Sequence, residues 1–206
     1  MLTTIRSTNS NTIIYIKLAK LLVITGNPGV GKHTVAKIVA KKLALKLIDI
    51  NTVAIKNNAI IMKDNIGYVV DLRKLSSLLR GEITKDCLVV GHLAPYVLKK
   101  GDASLVIVLR RSPYELEKVY TKRGYNEQKV IDNISSEIIG VCLYDSIKKF
   151  GRNKIAEVDG TGKKADKVVD QIISAFKGKS KRSVGKVDWL SLIVKNDDLQ
   201  KFFEYN

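Results

Sequence analysis

Gly26-Asn27-Pro28-Gly29-Val30-Gly31-Lys32-His33-Thr34 fits the first seven positions of G-x-x-x-x-G-K-[ST], the loop whose backbone N–H groups and lysine wrap a nucleoside triphosphate. Its flanks complete the context that the motif needs. Leu21-Leu22-Val23-Ile24 reads as a buried strand running in, and Thr34 to Leu45 as a helix running out. Glycine serves where the backbone bends sharply and approaches phosphate oxygens, and the helix start adds unpaired N–H groups and a positive dipole end. Lys32 supplies a point charge for the β and γ phosphates. The plainer reading is a tight strand-to-helix turn that merely uses glycines, and the flanks argue against it.

Outward from the loop, Cys87-Leu88-Val89-Val90 runs to Gly91-His92, and Leu105-Val106-Ile107-Val108-Leu109 runs to Arg110-Arg111. Continuous apolar runs of this kind indicate strands covered on both faces, as in a parallel sheet between helices. Leu45 to Ile50 and Lys154 to Val158 bring the count to five strands in an α/β fold. Ligands of such sheets sit beyond the carboxyl ends of the strands, which puts His92, Arg110 and Arg111 on the rim of the glycine loop. Arg110 equally suits a carboxylate within the fold. Helices are expected at Thr34 to Leu45, Asp71 to Leu79 with Gly81 as its stop, and Ala165 to Phe176. Ser112-Pro113-Tyr114-Glu115 reads as a capping box opening a helix to about Lys122. After the break at Arg123 to Glu127, Val130, Ile131, Ile134, Ile138, Val141 and Cys142 trace one long stripe towards Phe150. The polar residues between Asn51 and Asp64 suggest a loop-rich segment.

A chain of 206 residues suits one domain with short additions at its ends. Its 36 Lys plus Arg against 20 Asp plus Glu give a formal charge of +16. That excess favours phosphate-rich partners such as nucleotides, RNA or ribosomes, or else forms a solvated lysine surface. Only Cys87 and Cys142 are present, so neither a disulfide framework nor a zinc site is indicated, and a reducing cytoplasm is the expected location. No apolar run approaches the roughly 18 residues of a spanning helix. Residues 1–19 are read as a short extension, Lys177 to Lys186 as a basic linker that either touches RNA or is a solvated spacer, and 187–206 as a tail. Trp189 is read as a docking anchor for that tail rather than a base-stacking platform.

With these blocks in place, the chain resembles the adenylate kinase isoenzyme 6 family, also called the coilin-interacting nuclear ATPase family, over roughly residues 20–176. Beyond the glycine loop, the resemblance is carried by Val108-Leu109-Arg110, Arg123-Gly124-Tyr125-Asn126-Glu127, Asp132-Asn133-Ile134 and Glu137-Ile138, which look like the family's lid signature. It implies a P-loop kinase-type three-layer fold, with a monophosphate-binding segment at about 49–70 and a small lid at about 122–132. It also implies a nucleoside monophosphate kinase with ATPase activity that uses ATP and magnesium. Members act in late maturation of the small ribosomal subunit and rRNA 3'-end processing, transiently binding a platform ribosomal protein. By position, Gly29, Gly31, Lys32, His33 and Thr34 match the triphosphate contacts, and Arg123 matches the lid arginine. His92 matches the histidine after the second phosphate-site strand, for acid–base help or water positioning.

Two residues depart from the pattern. His33 stands where many P-loop proteins place a magnesium-binding hydroxyl, and Val90 stands where the family has an acidic residue at the strand end. Asp49 or Asp71 is available as a substitute, or each simply caps a helix. The metal's protein ligand is therefore left unassigned. An ATP-gated assembly chaperone with negligible turnover is the competing expectation.

Overall fold

The computed structural model describes residues 2–5, 14–17, 21–63, 67–84 and 86–203. Strands β1 (Leu2–Ile5) and β2 (Ile14–Lys17) pair antiparallel within the segment read as an extension. Then follow β3 (Leu21–Thr25), α1 (Lys32–Leu43), β4 (Lys46–Asp49), α2 (Ile50–Lys56), β5 (Ile60–Lys63), β6 (Tyr68–Val70), α3 (Leu72–Glu82) and β7 (Cys87–Val90). The second half runs α4 (Ala94–Val97), β8 (Leu105–Arg110), α5 (Pro113–Lys122), α6 (Glu127–Ile138), α7 (Val141–Phe150), a 3₁₀ turn, β9 (Ile155–Asp159) and α8 (Ala165–Phe176). Two short helices, α9 (Trp189–Lys195) and α10 (Leu199–Phe203), are the last elements of the described residues.

The expected five-stranded parallel sheet is present, in the order β4-β7-β3-β8-β9. Because strand side chains alternate, each strand feeds two cores. Leu22, Ile24, Leu88, Ile107 and Val158 meet α1, α5 and α8 on one face. Leu21, Val23, Val89, Val106 and Ile155 meet α3, α4 and α7 on the other. This double burial is why the strands read as unbroken apolar runs.

Several local expectations are corrected. The segment read as loop-rich contains α2 and β5, which pairs antiparallel with β6, because Asp49 accepts from the Asn51 and Thr52 backbone N–H groups and starts a helix that buries Ile50 and Ala54. Helix α3 runs through Gly81, whose position is open to solvent, and ends at Glu82 with Ile83 as its cap. The long stripe towards Phe150 is two helices, since Gly140 takes the left-handed conformation (φ 73) between α6 and α7. No capping box forms at α5. The Ser112 N–H donates to Thr161 Oγ1 (2.8 Å), while Glu115 accepts from Arg111 Nε (2.7 Å) and the Gly162 N–H (2.8 Å).

The segment read as a linker lies along the sheet edge rather than standing off as a spacer. The Glu157 N–H of β9 donates to Ser183 O (2.9 Å), and Glu157 Oε2 accepts from the Gly185 and Lys186 N–H groups. Edge coverage of this kind satisfies backbone groups that would otherwise template pairing with another chain. The tail then buries Trp189, Ile193 and Phe202 in the core beside α5 and α6. Tyr114 packs edge-on against Phe202 (5.4 Å between ring centres) and donates to Asp198.

Candidate functional site

Strand β3 delivers the chain into the glycine loop at the carboxyl edge of the sheet, and α1 carries it away. Gly29 is held at φ 83, and an added Cβ would lie 2.8 Å from the Tyr120 ring. Gly31, at φ 92, faces open space where a Cβ would meet nothing. Both values favour glycine, and the second leaves the backbone open to an approaching ligand. Tyr120 of α5 supports the loop from below, donating from its hydroxyl to Pro28 O (2.6 Å).

Lys32 begins α1 and points back under the loop. Its Nζ donates to Asn27 O (3.1 Å), and among the described residues no carboxylate lies within ion-pairing distance. The side chain is only 4% exposed. Burial lowers its pKa to about 8, with the nearby Arg123 charge pushing the same way. A buried ammonium held by one carbonyl at a helix start is a receptor for an anion.

One cavity of about 920 Å³ gathers Gly29, Gly31, Lys32, His33, Thr34, His92 and Arg123. Five of these belong to the loop and the start of α1, and the fold brings the distant His92 and Arg123 to the same cavity. Arg123 caps the end of α5 and is exposed, and its guanidinium makes no hydrogen bond or ion pair with a described residue. The next turn is pinned, since Tyr125 stacks on Tyr120 (5.4 Å, 12° between planes) with Lys129 over its outer face. His92 follows β7. Burial, then the charges of Lys32 and His33, lower its pKa to about 4, so its imidazole is neutral near pH 7.

The loop is also held by a buried network that the sequence does not announce. Asn27 Nδ2 donates to Glu137 Oε2 (2.9 Å), and Glu137 Oε1 accepts from Arg110 Nε (2.6 Å), the Arg111 N–H (3.2 Å) and Trp189 Nε1 (3.1 Å). Arg110 donates further to Glu157 Oε1 (2.7 Å) and Glu137 O (2.7 Å). Arg110, expected on the phosphate rim, is therefore a fold residue with two carboxylates of its own. Arg111 likewise turns to Glu115.

Comparisons with known proteins agree with this geometry. A family model described as AAA domain matches residues 22–140. A protein of Methanocaldococcus jannaschii named "Putative adenylate kinase" is 35% identical over 188 residues, covering 89% of this chain and 96% of that protein. Its namesake from Methanococcus maripaludis is 33% identical over 177 residues, covering 82% and 95%.

The chain belongs to the adenylate kinase-like P-loop nucleoside monophosphate kinases.

Membership of this P-loop kinase family agrees with the fold. The solved shikimate kinase of Acinetobacter baumannii, in complex with shikimate, superposes with a TM-score of 0.56 at 15% identity, covering 80% of this chain and 96% of that one.

Within this P-loop kinase, the strand-end position Val90 is buried and apolar. Its register partner on the neighbouring strand is Asp49, so a carboxylate lies one strand over at the same level. Asp49 Oδ1 caps α2, and Oδ2 lies 2.8 Å from His33 Nδ1. Burial pushes the Asp49 carboxyl up. The hydrogen bond and charge of His33, with the Thr52 and Asn51 N–H groups, outweigh it and leave the pKa lowered. Asp71 caps α3 through the Lys74 N–H. Among the described residues no group of three or more His, Cys, Asp or Glu is placed to hold a metal ion, and no helix is long and apolar enough to cross a membrane.

Proposed function

We propose that this kinase transfers the γ-phosphoryl group of ATP to a nucleoside monophosphate, adenylate kinase fashion, and to water as a slower ATPase reaction. In the transfer, the bond between the γ-phosphorus and the β–γ bridging oxygen breaks. A new bond forms between that phosphorus and an oxygen of the acceptor phosphate, giving ADP and a nucleoside diphosphate. The observation that carries this reading is Lys32, buried without a carboxylate partner among the described residues, beneath a loop open to the cavity.

Gly29, Gly31, His33 and Thr34 line the triphosphate side, and Lys32 stabilises charge on the transferring group. Arg123, free and exposed at the cavity wall, neutralises the same charge when the segment at about 122–132 closes as a lid. The segment at about 49–70 takes the monophosphate. His92, neutral near pH 7, positions the acceptor or a water rather than supplying a cation. The donors present fit a nucleotide-borne divalent cation, because the Thr34 hydroxyl is exposed at the cavity that His33 also lines. Beside the Thr34 hydroxyl, a bound magnesium ion would supply neutralisation of charge on the triphosphate.

Steady-state ADP formation from ATP and AMP tests this. Wild type is expected to turn over and Lys32→Ala to fall to background; equal rates in the two would overturn the reading.

The lid signature and the +16 charge support a role in cytoplasmic maturation of the small ribosomal subunit and rRNA 3'-end processing, through transient binding of a platform ribosomal protein. The apolar Val90 favours a second reading, an ATP-gated assembly chaperone with negligible kinase turnover. ATP-dependent pull-down of a platform protein without AMP phosphorylation would select the chaperone. Rapid AMP phosphorylation would select the kinase.

A further inference from the structure

His33 occupies the position where the loop motif ordinarily carries a hydroxyl for magnesium. An imidazole is a different donor. It suits borderline cations such as manganese, cobalt and zinc, whereas magnesium prefers oxygen. A histidine that ligates metal through one nitrogen ordinarily donates its other N–H to a carboxylate, which fixes the tautomer and raises ligand basicity. That arrangement is present. His33 Nδ1 lies 2.8 Å from Asp49 Oδ2, and Asp49 is itself fixed by the Asn51 and Thr52 N–H groups at its other oxygen. The His33 side chain is 39% exposed and lines the nucleotide cavity. With Nδ1 committed to Asp49, the remaining ring nitrogen, Nε2, is the one left for a ligand.

Two further observations shape the role. Among the described residues no group of three or more His, Cys, Asp or Glu is placed to hold a metal ion, so a cation would arrive on the nucleotide rather than rest in a protein cage. The neighbouring strand end, Val90, supplies no carboxylate to order a hydrated magnesium ion, and the acid at that level, Asp49, is engaged with the histidine.

We propose that His33 Nε2 directly ligates the divalent cation carried on the bound triphosphate, with Asp49 as the residue that positions it. The chain thereby favours manganese or cobalt over magnesium more strongly than the same loop with a threonine would. This rests on the triphosphate-binding reading above.

The test uses the full chain labelled with ¹⁵N-histidine, a non-hydrolysable ATP analogue and manganese. Pulsed EPR detects a ¹⁵N hyperfine coupling when a histidine nitrogen ligates the ion, and nucleotide nitrogens carry no such label. A coupling is expected in wild type and in His92→Gln, and none in His33→Thr. Titration of analogue affinity with each metal is expected to show the manganese-to-magnesium preference falling about tenfold or more in His33→Thr. Asp49→Asn, which retains a capping side chain, is expected to fall between the two. Analogue binding with no ¹⁵N coupling, or with a coupling that His33→Thr keeps, would overturn the proposal while leaving the triphosphate reading intact. No binding of the analogue with any metal would overturn both.

Discussion

Lys32 in the glycine loop and Arg110 at the end of β8 are both buried cations, 4% and 3% exposed, yet their surroundings are opposite. Arg110 is answered by Glu137 and Glu157, and its donors are spent inside the fold. Lys32 is answered by a single backbone carbonyl, and burial lowers its pKa to about 8. A cation that brings its own carboxylates stabilises a structure. One buried without them keeps an electrostatic deficit that a phosphate relieves. The two are joined, because Asn27 gives its carbonyl to Lys32 and its amide to Glu137, the main acceptor for Arg110.

The largest break in this comparison is Glu137→Ala. It leaves Arg110 short of a carboxylate, and the account expects a loss of about 3–5 kcal/mol in urea unfolding. Burial pushes the Glu137 carboxyl up against the pull of Arg110, so Glu137→Gln is expected to be milder, though still destabilising.

Lys32→Met is expected to do the reverse. It lowers kcat by about 10²–10³-fold with no loss in the unfolding midpoint, because it removes a buried charge rather than its partner. The pH dependence sharpens this point. Between about 8 and the ordinary lysine value of 10.5, the unfolded chain holds a proton on Lys32 that the folded chain has released. Stability of the nucleotide-free protein, relative to Lys32→Met, is therefore expected to rise with pH across that window in thermal melts. Triphosphate affinity is expected to fall as pH passes about 8, because the receptor charge is lost.

The smallest effect is at the tail. Trp189→Phe keeps a ring in the core but removes one of the donors to Glu137, for about 0.5–1.5 kcal/mol. If nucleotide affinity falls with stability, the tail acts on the loop through Glu137 and Asn27. If stability alone falls, it acts only on the core.

The contrast between the two cations also explains what the sequence revealed. Lys32 was legible because its partners are local: the strand, the glycines and the helix start all lie within a few residues. The parallel sheet was legible for the same reason, each strand being a short unbroken apolar run. Arg110 was not, since its carboxylates lie 27 and 47 residues along the chain, and a strand-end arginine reads alike whether it faces a phosphate or a glutamate. Asn27 sat in the loop motif as an unspecified position, and its amide contact spans 110 residues. Helix α2 was hidden by polar residues on its exposed face, although Asp49 two residues before Asn51 was a capping signal. Gly81 was read as a helix stop and Gly140 was passed over within one long stripe, yet of the two only Gly140 adopts a positive φ and separates two helices.

The most direct test of the account is an NMR titration of Lys32 Nζ in ¹⁵N-lysine-labelled protein, assigned with Lys32→Arg. A pKa of about 8 is expected in the free protein, with a clear rise when a non-hydrolysable ATP analogue is bound. An ordinary lysine pKa in the free protein, or one that saturating analogue does not move, would contradict it.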